Sequence, residues 1–223
     1  MRLFLDENTN DMNKIIHNDC FKEMKTMPDN SIDLLLTDPP YGINLTPQRS
    51  TSKFKNVKII SDDDLEWVDD FSKEIYRICK NTAFIFCSYQ KYDVFKISLE
   101  KAGFIIKNCI VWDKMWFGMG NNFRPNHEFI ILAIKTKFKT KSNNLENILR
   151  FRRLHPSKMH HPTEKPIKLL ELLINESSNE GDIILDCFAG SGTTGIACKN
   201  TNRNYILIEK ESRYIDIIKE RLT

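Results

Sequence analysis

The sequence lacks the long apolar segments that mark membrane proteins. None of its apolar runs approaches the roughly 20 residues that a transmembrane helix requires, and the amino-terminal stretch MRLFLDENTNDMN soon turns polar and acidic. This stretch has no apolar core of the kind found in secretory signals. We therefore expect neither a membrane anchor nor an export signal, and we expect residues 1–13 to form a flexible tail.

Paired metal-binding cysteines are also missing. No two of the six cysteines have C-x-x-C spacing, and no cysteine lies at finger-like spacing from the histidines between residues 155 and 161. Most of the cysteines lie in apolar stretches, which favours buried, reduced thiols. The sequence therefore predicts no metal site. The residues considered are Cys20, Cys79, Cys87, Cys109, Cys187, Cys198, His155, His160 and His161.

A strong net charge is absent as well, but the basic residues are unevenly distributed. The formal net charge is +3, yet residues 135–158 contain eight basic residues against the single acid Glu146, and residues 49–58 contain four basic residues and no acid. Most charge runs are only solvated faces. Two such stretches in a nearly neutral chain nevertheless favour contacts with nucleic-acid phosphates. The candidates for these contacts are Arg49, Lys53, Arg124, Lys139, Lys141, Arg150, Arg152 and Arg153.

Apolar runs of strand length alternate with helix-like patterns along the chain. This alternation predicts an α/β fold in which helices cover both faces of a mostly parallel sheet. The expected strands are 14–18, 32–37, 82–87, 104–112, 127–134, 182–187 and 204–209. The expected helices are 20–27, 65–80, 90–102, 164–178, 192–201 and 211–222. We expect residues 14–223 to form one domain, with functional loops at 42–63, 113–126 and 136–162.

A glycine-rich turn follows the expected strand 182–187. Gly190, Gly192 and Gly195 match G-x-G-x-x-G and open a helix, which is the order that binds nucleotide-type ligands at a helix amino terminus. Glu209 ends the next strand, where an acid can accept hydrogen bonds from ribose hydroxyls. This motif alone fits a nicotinamide-dependent oxidoreductase equally well.

The position of this turn near the carboxyl end of the sequence is unusual for an oxidoreductase. A nucleotide-binding half needs further strands after Glu209, and we expect the amino-terminal part to supply them, so that the motif order is circularly permuted. The strands that carry Asp38, Asp186 and Glu209 then end at one edge of the sheet. Open α/β sheets bind their ligands at such an edge.

The strand 32–37 ends abruptly in Asp38-Pro39-Pro40-Tyr41. Two prolines fix the backbone and remove two donors, while their carbonyls remain free to accept. The Asp38 carboxylate and the Pro39 carbonyl can therefore act as two fixed acceptors for the hydrogens of one amine, and Tyr41 offers a surface for ring stacking. A bare proline pair would be only a stiff turn; next to a glycine-rich ligand turn it favours an active site.

With these motifs the sequence closely resembles the β class of bacterial DNA amino-methyltransferases, in which the catalytic motif precedes the cofactor motif. The resemblance extends from about Lys14 to Leu222. It is carried by Thr37 and the DPPY tetrapeptide, by His161-Pro-Thr-Glu-Lys-Pro166, and by LDCFAGSGTT at 185–194. It implies a Rossmann-like methyltransferase fold with a seven-stranded sheet, S-adenosylmethionine as the cofactor and double-stranded DNA as the substrate.

The resemblance also assigns roles to individual residues. The catalytic residues would be Asp38, Pro39, Pro40 and Tyr41, acting on a base flipped out of the duplex. The cofactor would contact Asp19, Cys20, Asp38, Thr163, Lys165, Asp186, Phe188, Gly190, Gly192, Thr193 and Glu209. Among these, Asp19 and Cys20 match contacts to the cofactor adenine, Glu209 a contact to its ribose, and Lys165 the segment beside its carboxylate.

Two features depart from the family pattern. Cys187 stands where the family usually has proline, a change expected to leave cofactor binding intact. The target-recognition region at about 136–160 is short, so sequence recognition is expected to be brief or shared with the loops 44–58 and 113–126. The second loop contains Trp116, Phe117, Phe123 and Arg124, which fit base contacts or local packing equally well.

Several functional alternatives stay open at the level of sequence. Asp38 as the first residue of the tetrapeptide favours adenine N6 as the target, because cytosine-N4 members more often have serine; cytosine N4 is the alternative. The oxidoreductase has no use for DPPY, and a catalytically dead DNA-binding relative is disfavoured because no motif is missing. A homodimer and a cognate restriction endonuclease are the partners considered. The expected location is the reducing cytoplasm of a prokaryotic cell, or of a cell that hosts a virus encoding the protein.

Overall fold

The structure, a computed structural model, describes residues 12–42, 65–116 and 122–223. Over these residues the chain forms one eight-stranded sheet in the order β1-β8-β7-β2-β3-β5-β4-β6. The strands are β1 Lys14–His17, β2 Ile32–Thr37, β3 Cys79–Cys87, β4 Ile105–Asp113, β5 His127–Ile134, β6 Ile148–Arg150, β7 Ile183–Asp186 and β8 Asn204–Glu209. All neighbouring pairs are parallel except those made by β5, which is antiparallel to β3 and β4.

Six α-helices pack on this sheet within the described residues. They are α1 Cys20–Met24, α2 Val68–Ile78, α3 Tyr92–Ala102, α4 Ile167–Ser177, α5 Thr193–Asn200 and α6 Ser212–Leu222. Helix α2 packs against α1 and α3, and α5 packs against α4 and α6. Consecutive residues Leu34, Leu35 and Leu36 of β2 are all fully buried. Because successive side chains point to opposite faces, this strand is covered on both faces, as the fold prediction required.

The α/β fold and the mostly parallel sheet are confirmed, but the expected seven strands are eight. The additional strand, β6, has three residues, and only Leu149 of these is buried. It is too short to show the alternation of apolar and polar residues that predicts a strand. The helix expected from residue 164 begins at Ile167, because Pro166 is in an extended conformation and serves as its N-cap. Helix α2 likewise begins at Val68 instead of residue 65, and β3 begins at Cys79 instead of residue 82.

The topology brings several strand ends to one edge of the sheet. The parallel strands β1, β2, β7 and β8 end there, at His17, Thr37, Asp186 and Glu209. Because β5 runs in the opposite direction, its first residues, including Glu128, lie at the same edge. The sequence predicted that the acids Asp38, Asp186 and Glu209 would meet at this edge. The structure adds Glu128, which lies near the start of its strand. We call this edge of the sheet the site edge.

The remaining structural expectations concern the membrane, the cysteines and the tail. No helix in the described ranges is long and apolar enough to cross a membrane. All six cysteines are free thiols, and no metal-binding group of His, Cys, Asp or Glu occurs among the described residues. Residues 1–11 of the expected tail lie outside the described residues; Asn13 accepts a hydrogen bond from the backbone N–H of Tyr205 (3.0 Å) and so joins β8.

Candidate active site

The Thr37–Tyr41 loop leaves β2 at the site edge and is held by side chains from distant parts of the chain. The Thr37 hydroxyl donates to Asp186 at 2.8 Å, which ties the end of β2 to the end of β7. The Asp38 carboxylate accepts from the Tyr41 hydroxyl at one oxygen and from the Lys165 ammonium at the other. Tyr41 is only 6% exposed, so the loop is part of the packed core at this edge.

Asp38 belongs to a group of four charges in which Lys165 is buried and the side chains of Asp38, Glu128 and Lys114 are about 20% exposed. Lys165 lies 3.2 Å from Glu128, and Glu128 pairs with Lys114 at 2.6 Å. Burial raises the pKa of Asp38, and the Lys165 charge opposes this effect. Burial acts on Glu128 in the same way, but the ammonium groups of Lys165 and Lys114 outweigh it and hold the pKa of Glu128 below its usual value. Nothing in the sequence pattern singled out Glu128 or Lys114.

The glycine-rich turn has the geometry of a ligand cradle. Gly190 and Gly192 have positive φ angles of 51° and 79°, a region that L side chains rarely adopt. A side chain on Gly190 would also bring its Cβ to 3.3 Å from the His161 ring. Asp186 accepts from Thr37, from Thr194 (2.6 Å) and from the backbone N–H of Phe188 (3.1 Å). Burial raises the pKa of Asp186 to about 6.

Glu209 fixes the other side of this turn. Its carboxylate accepts from the backbone N–H groups of Gly190 and Glu211, each at 2.8 Å. Burial raises the pKa of Glu209. At the adjacent strand β1, Asp19 caps α1 by accepting from the Phe21 backbone N–H at 3.0 Å. Glu209 of β8 and Asp19 of the loop after β1 therefore both lie at the site edge.

A cavity of about 190 Å³ lies between these elements. A second cavity of about 50 Å³ shares the Asp38, Thr163 and Gly190 lining with the first. Together they are lined by all the predicted catalytic residues and by every predicted cofactor residue except Gly192. Gly192 is the N-cap of α5, and a Cβ there would lie 3.0 Å from Ile218 of α6. The structure thus gives Gly192 a packing role.

Trp67 and His161 are among the residues of the first cavity that the sequence analysis did not place in the site. Trp67, the N-cap of α2, packs against Phe188 with 5.8 Å between ring centroids. His161 packs edge-on against Tyr214 at 4.5 Å. Burial, with the nearby Lys165 and Arg213 charges, lowers the pKa of His161 to about 3, so its ring is neutral at pH 7. The only sequence signal for His161 was its place at the start of the HPTEKP motif.

The predicted phosphate contacts fall into two groups. Arg150 ends β6 beside Asp113, the last residue of β4, and the Arg153 N–H donates to the Lys114 carbonyl at 3.0 Å. The Arg152 guanidinium lies 5.5 Å from the centre of the Trp116 ring. These arginines therefore lie at the site edge. The exposed Arg124 precedes β5 and lies at the same edge.

The structure does not bring Lys139 and Lys141 to this group. Strand β5 runs away from the site edge, so the chain after Ile134 starts at the opposite edge. The Lys141 backbone N–H contacts the Glu176 carbonyl in the last turn of α4. Arg49, Lys53 and Phe117 lie outside the described residues. The basic run 135–158 is thus one stretch in sequence and two separate surfaces in the fold.

Comparison with known proteins identifies the family. The family profile described as DNA methylase, of the N6/N4 type, matches residues 32–220, which is most of the chain. The chain belongs to this DNA methylase family. The resemblance stated from the sequence is thereby confirmed, and with it S-adenosylmethionine as the cofactor that the family uses.

Two curated bacterial methylases are similar over nearly the whole chain. The type II methyltransferase M.HpaI of Haemophilus parainfluenzae is 32% identical over 94% of this chain and 74% of its own length. The type II methyltransferase M.HinfI of Haemophilus influenzae is 31% identical over 98% of this chain and 70% of its own length.

Solved structures support the same family. The M1.HpyAVI–SAM complex is 32% identical with a TM-score of 0.69, covering 94% of this chain and 99% of its own. The PvuII DNA methyltransferase, described as cytosine-N4-specific, has a TM-score of 0.72, covering 97% of this chain and 90% of its own. Because it is only 16% identical, it supports the fold of this methylase and not its target base.

Proposed function

We propose that this methylase transfers the methyl group of S-adenosylmethionine to the N6 amine of an adenine flipped out of double-stranded DNA. The observation that carries the proposal is the joint lining of one cavity by the DPPY loop and by the glycine turn with Glu209. The proposed cofactor pocket therefore lies next to Asp38 and Pro39, which would accept the hydrogens of the target amine. Transfer between two bound groups requires this adjacency.

The residues around the cavity fit the cofactor. Gly190 leaves room that a side chain would fill, Glu209 offers carboxylate oxygens for ribose hydroxyls, and Trp67 and Phe188 form an apolar wall. Asp19 and Cys20, which the resemblance assigns to the cofactor adenine, line the same cavity. When bound, the cofactor supplies an electrophilic methyl group on a sulfonium. The rest of the chemistry falls to the protein and the DNA base.

The protein must activate the exocyclic amine of the base, which is a poor nucleophile. The lone pair of an exocyclic amine is delocalised into the ring. The Asp38 carboxylate and the Pro39 carbonyl would each accept one amine hydrogen, which localises electron density on nitrogen and stabilises the positive charge that develops there. As the nitrogen gains the methyl group, the bond from that group to sulfur would break and leave a neutral thioether, and the nitrogen would release one proton to solvent. No covalent intermediate with the protein is needed. Tyr41 is bound through its hydroxyl to Asp38, which orients its ring as the stacking surface for the flipped base.

The choice of adenine N6 rests on Asp38 as the first residue of the tetrapeptide, and it can be tested on the product. We expect N6-methyladenine in the nucleosides of DNA incubated with the methylase and cofactor, measured by mass spectrometry. Base-resolution mapping of the same DNA would give the recognition sequence. N4-methylcytosine without N6-methyladenine would overturn the choice of target base.

The arginines at the site edge are proposed to bind the DNA backbone. We expect the double variant Arg152→Gln/Arg153→Gln to bind DNA more weakly and with a flatter salt dependence, because each phosphate contact contributes about 0.9 to the slope of log K against log salt. Affinity measured by fluorescence anisotropy over a range of salt concentrations would give this slope.

The matched control for this prediction is Lys139→Gln/Lys141→Gln. It removes the same charge from the same basic run but at the opposite edge of the sheet. We expect its salt slope to stay at the wild-type value. Equal slopes in the two double variants would contradict an interface at the site edge and would indicate that only the total charge matters.

A further inference from the structure

The four charged side chains around Asp38 are more than the proposed chemistry needs. Asp38 and the Pro39 carbonyl suffice as amine acceptors, yet Lys165, Glu128 and Lys114 are drawn to the same place from three other parts of the chain. The group contains two carboxylates and two ammonium ions, so its charges balance. Taking ions out of water costs free energy, and their mutual attraction and hydrogen bonds offset this cost only in part, so a group of this size calls for an explanation beyond stability.

Lys165 is the centre of this group. Its side chain is only 6% exposed, and its ammonium donates to Asp38, to Glu128 (3.2 Å) and to the Thr163 carbonyl (3.2 Å). An ammonium has three N–H donors, so all of them have acceptors within the protein. A lysine held in this way has no donor left for the cofactor, although the family resemblance matches Lys165 to the segment beside the cofactor carboxylate.

The contacts of Asp38 leave room for the substrate. Lys165 and Tyr41 donate to different oxygens of Asp38. An ionised carboxylate has about four lone-pair sites, so acceptor capacity remains for an amine hydrogen. A protonated Asp38 would lose much of this capacity, and burial favours the protonated form. Lys165 supplies the nearby positive charge that opposes this effect.

We propose that Lys165 is a positioning residue for methyl transfer: its ammonium keeps the Asp38 carboxylate ionised and fixed in orientation, and Glu128 holds that ammonium in place. The proposal rests on the proposed function, in which Asp38 accepts an amine hydrogen. Glu128 in turn is fixed by Lys114 at the end of β4. Substrate contact is left to Asp38, and Lys165 acts only through it.

Other titratable groups face this cluster and must be considered in any pH experiment. The groups are Tyr41, Cys87, Lys114, Glu128, His161, Lys165 and Asp186. Burial raises the pKa values of Tyr41 and Cys87, and His161 is neutral, so none of these three changes charge near pH 7. Asp186, with a pKa of about 6, is left unchanged in the variants that are compared.

The test is the pH dependence of kcat for Lys165→Met, Lys165→Arg and Glu128→Gln. Without the Lys165 charge, the pKa of Asp38 rises and the acid limb of the profile moves to higher pH. We expect kcat of Lys165→Met to fall at a pH where the wild-type value is still level, and on the acid limb itself kcat should fall about tenfold for each pH unit by which the limb moves. Lys165→Arg keeps the charge and should restore the wild-type limb.

Glu128→Gln should move the limb in the opposite direction. The Glu128 charge raises the pKa of Asp38, and the glutamine carbonyl can still accept from Lys165. A role in folding alone would not produce shifts of opposite sign. Lys168→Met, which removes an exposed lysine of α4, is the control and should keep the wild-type profile. An unmoved limb in Lys165→Met, or shifts of the same sign in both variants, would overturn the proposal.

Cofactor affinity distinguishes the proposal from the role implied by the family. Calorimetric titration with S-adenosylmethionine should give the same affinity for Lys165→Met and the wild type. Weaker binding with an unchanged pH profile would mean that Lys165 holds the cofactor, and it would overturn the proposal. If the proposed function itself were wrong, the wild type would not methylate DNA or Asp38→Ala would stay active, and neither result depends on Lys165. Should Lys165→Met fail to fold, Lys165→Arg and Glu128→Gln still test the limb.

Discussion

Asp38→Ala is expected to lower the rate of methyl transfer by at least about 10²-fold, the effect found when one preorganised polar group is removed from an active site. The substitution removes the carboxylate that accepts an amine hydrogen. It also leaves Lys165 with Glu128 and the Thr163 carbonyl as its acceptors, and it leaves the Tyr41 hydroxyl with only a 3.5 Å contact to Glu128. The reacting base would then be bound without the acceptor that prepares its nitrogen.

DNA binding by Asp38→Ala should stay close to that of the wild type. The arginines tested for phosphate contact, Arg152 and Arg153, follow β6, whereas the side-chain hydrogen bonds of Asp38 are to Tyr41 and Lys165. Transfer of a radiolabelled methyl group to DNA measures the rate, and fluorescence anisotropy measures the binding. The loss should appear in kcat at saturating DNA and cofactor, because an interaction used in the transition state has been removed.

The control for this variant is Asp93→Ala. Asp93 is an exposed acid in the first turn of α3 and lines neither cavity, so its removal changes the net charge by the same amount without removing a residue of the site. Wild-type activity is expected. Full methyl transfer by Asp38→Ala would rule out the acceptor mechanism, and loss of activity together with loss of the folded state would show only a structural defect.

The site motifs could be read from the sequence because each is local. A buried strand that ends in two prolines, and a strand that ends in closely spaced glycines, fix the backbone through their own residues. The exact prediction of β2, β5 and β8 has a similar origin: these are apolar runs with sharp polar ends. The positive φ of Gly190 then follows from the turn itself.

The charge group around Asp38 could not be predicted, because it depends on topology. Glu128 reaches the site only because β5 is antiparallel, and no local pattern in residues 127–134 states their direction. The antiparallel direction of β5 also carries the chain away from the site edge. Lys139 and Lys141 therefore lie apart from Arg152 and Arg153, although all four belong to one basic run in the sequence. The three-residue β6 was missed for another reason: it is too short to show a period, and it is defined by its pairing with Val111, Trp112 and Asp113.

Glu209→Gln is expected to weaken binding of S-adenosylmethionine by about 10-fold to 100-fold, since hydrogen bonds to charged groups contribute about 1.5–3 kcal/mol. The carboxylate lines the cavity and also accepts from the N–H groups of Gly190 and Glu211. Glutamine keeps the size of the side chain but turns one acceptor into a donor. That donor would face a backbone N–H or a ribose hydroxyl.

Glu209→Gln and Asp38→Ala should differ in the kinetic constant that they change. Glu209 accepts from the glycine turn and has no bond to Asp38 or Tyr41, so kcat at saturating cofactor should stay near the wild-type value while KM for the cofactor rises. Isothermal titration gives the affinity, and Glu220→Gln, an exposed glutamate of α6, is the matched control. Unchanged cofactor affinity in Glu209→Gln would show that Glu209 does not hydrogen-bond to the cofactor. A fall in kcat alone would instead place Glu209 in the chemical step. We do not expect this result, because β7 lies between β8, which ends in Glu209, and β2, which leads to Asp38.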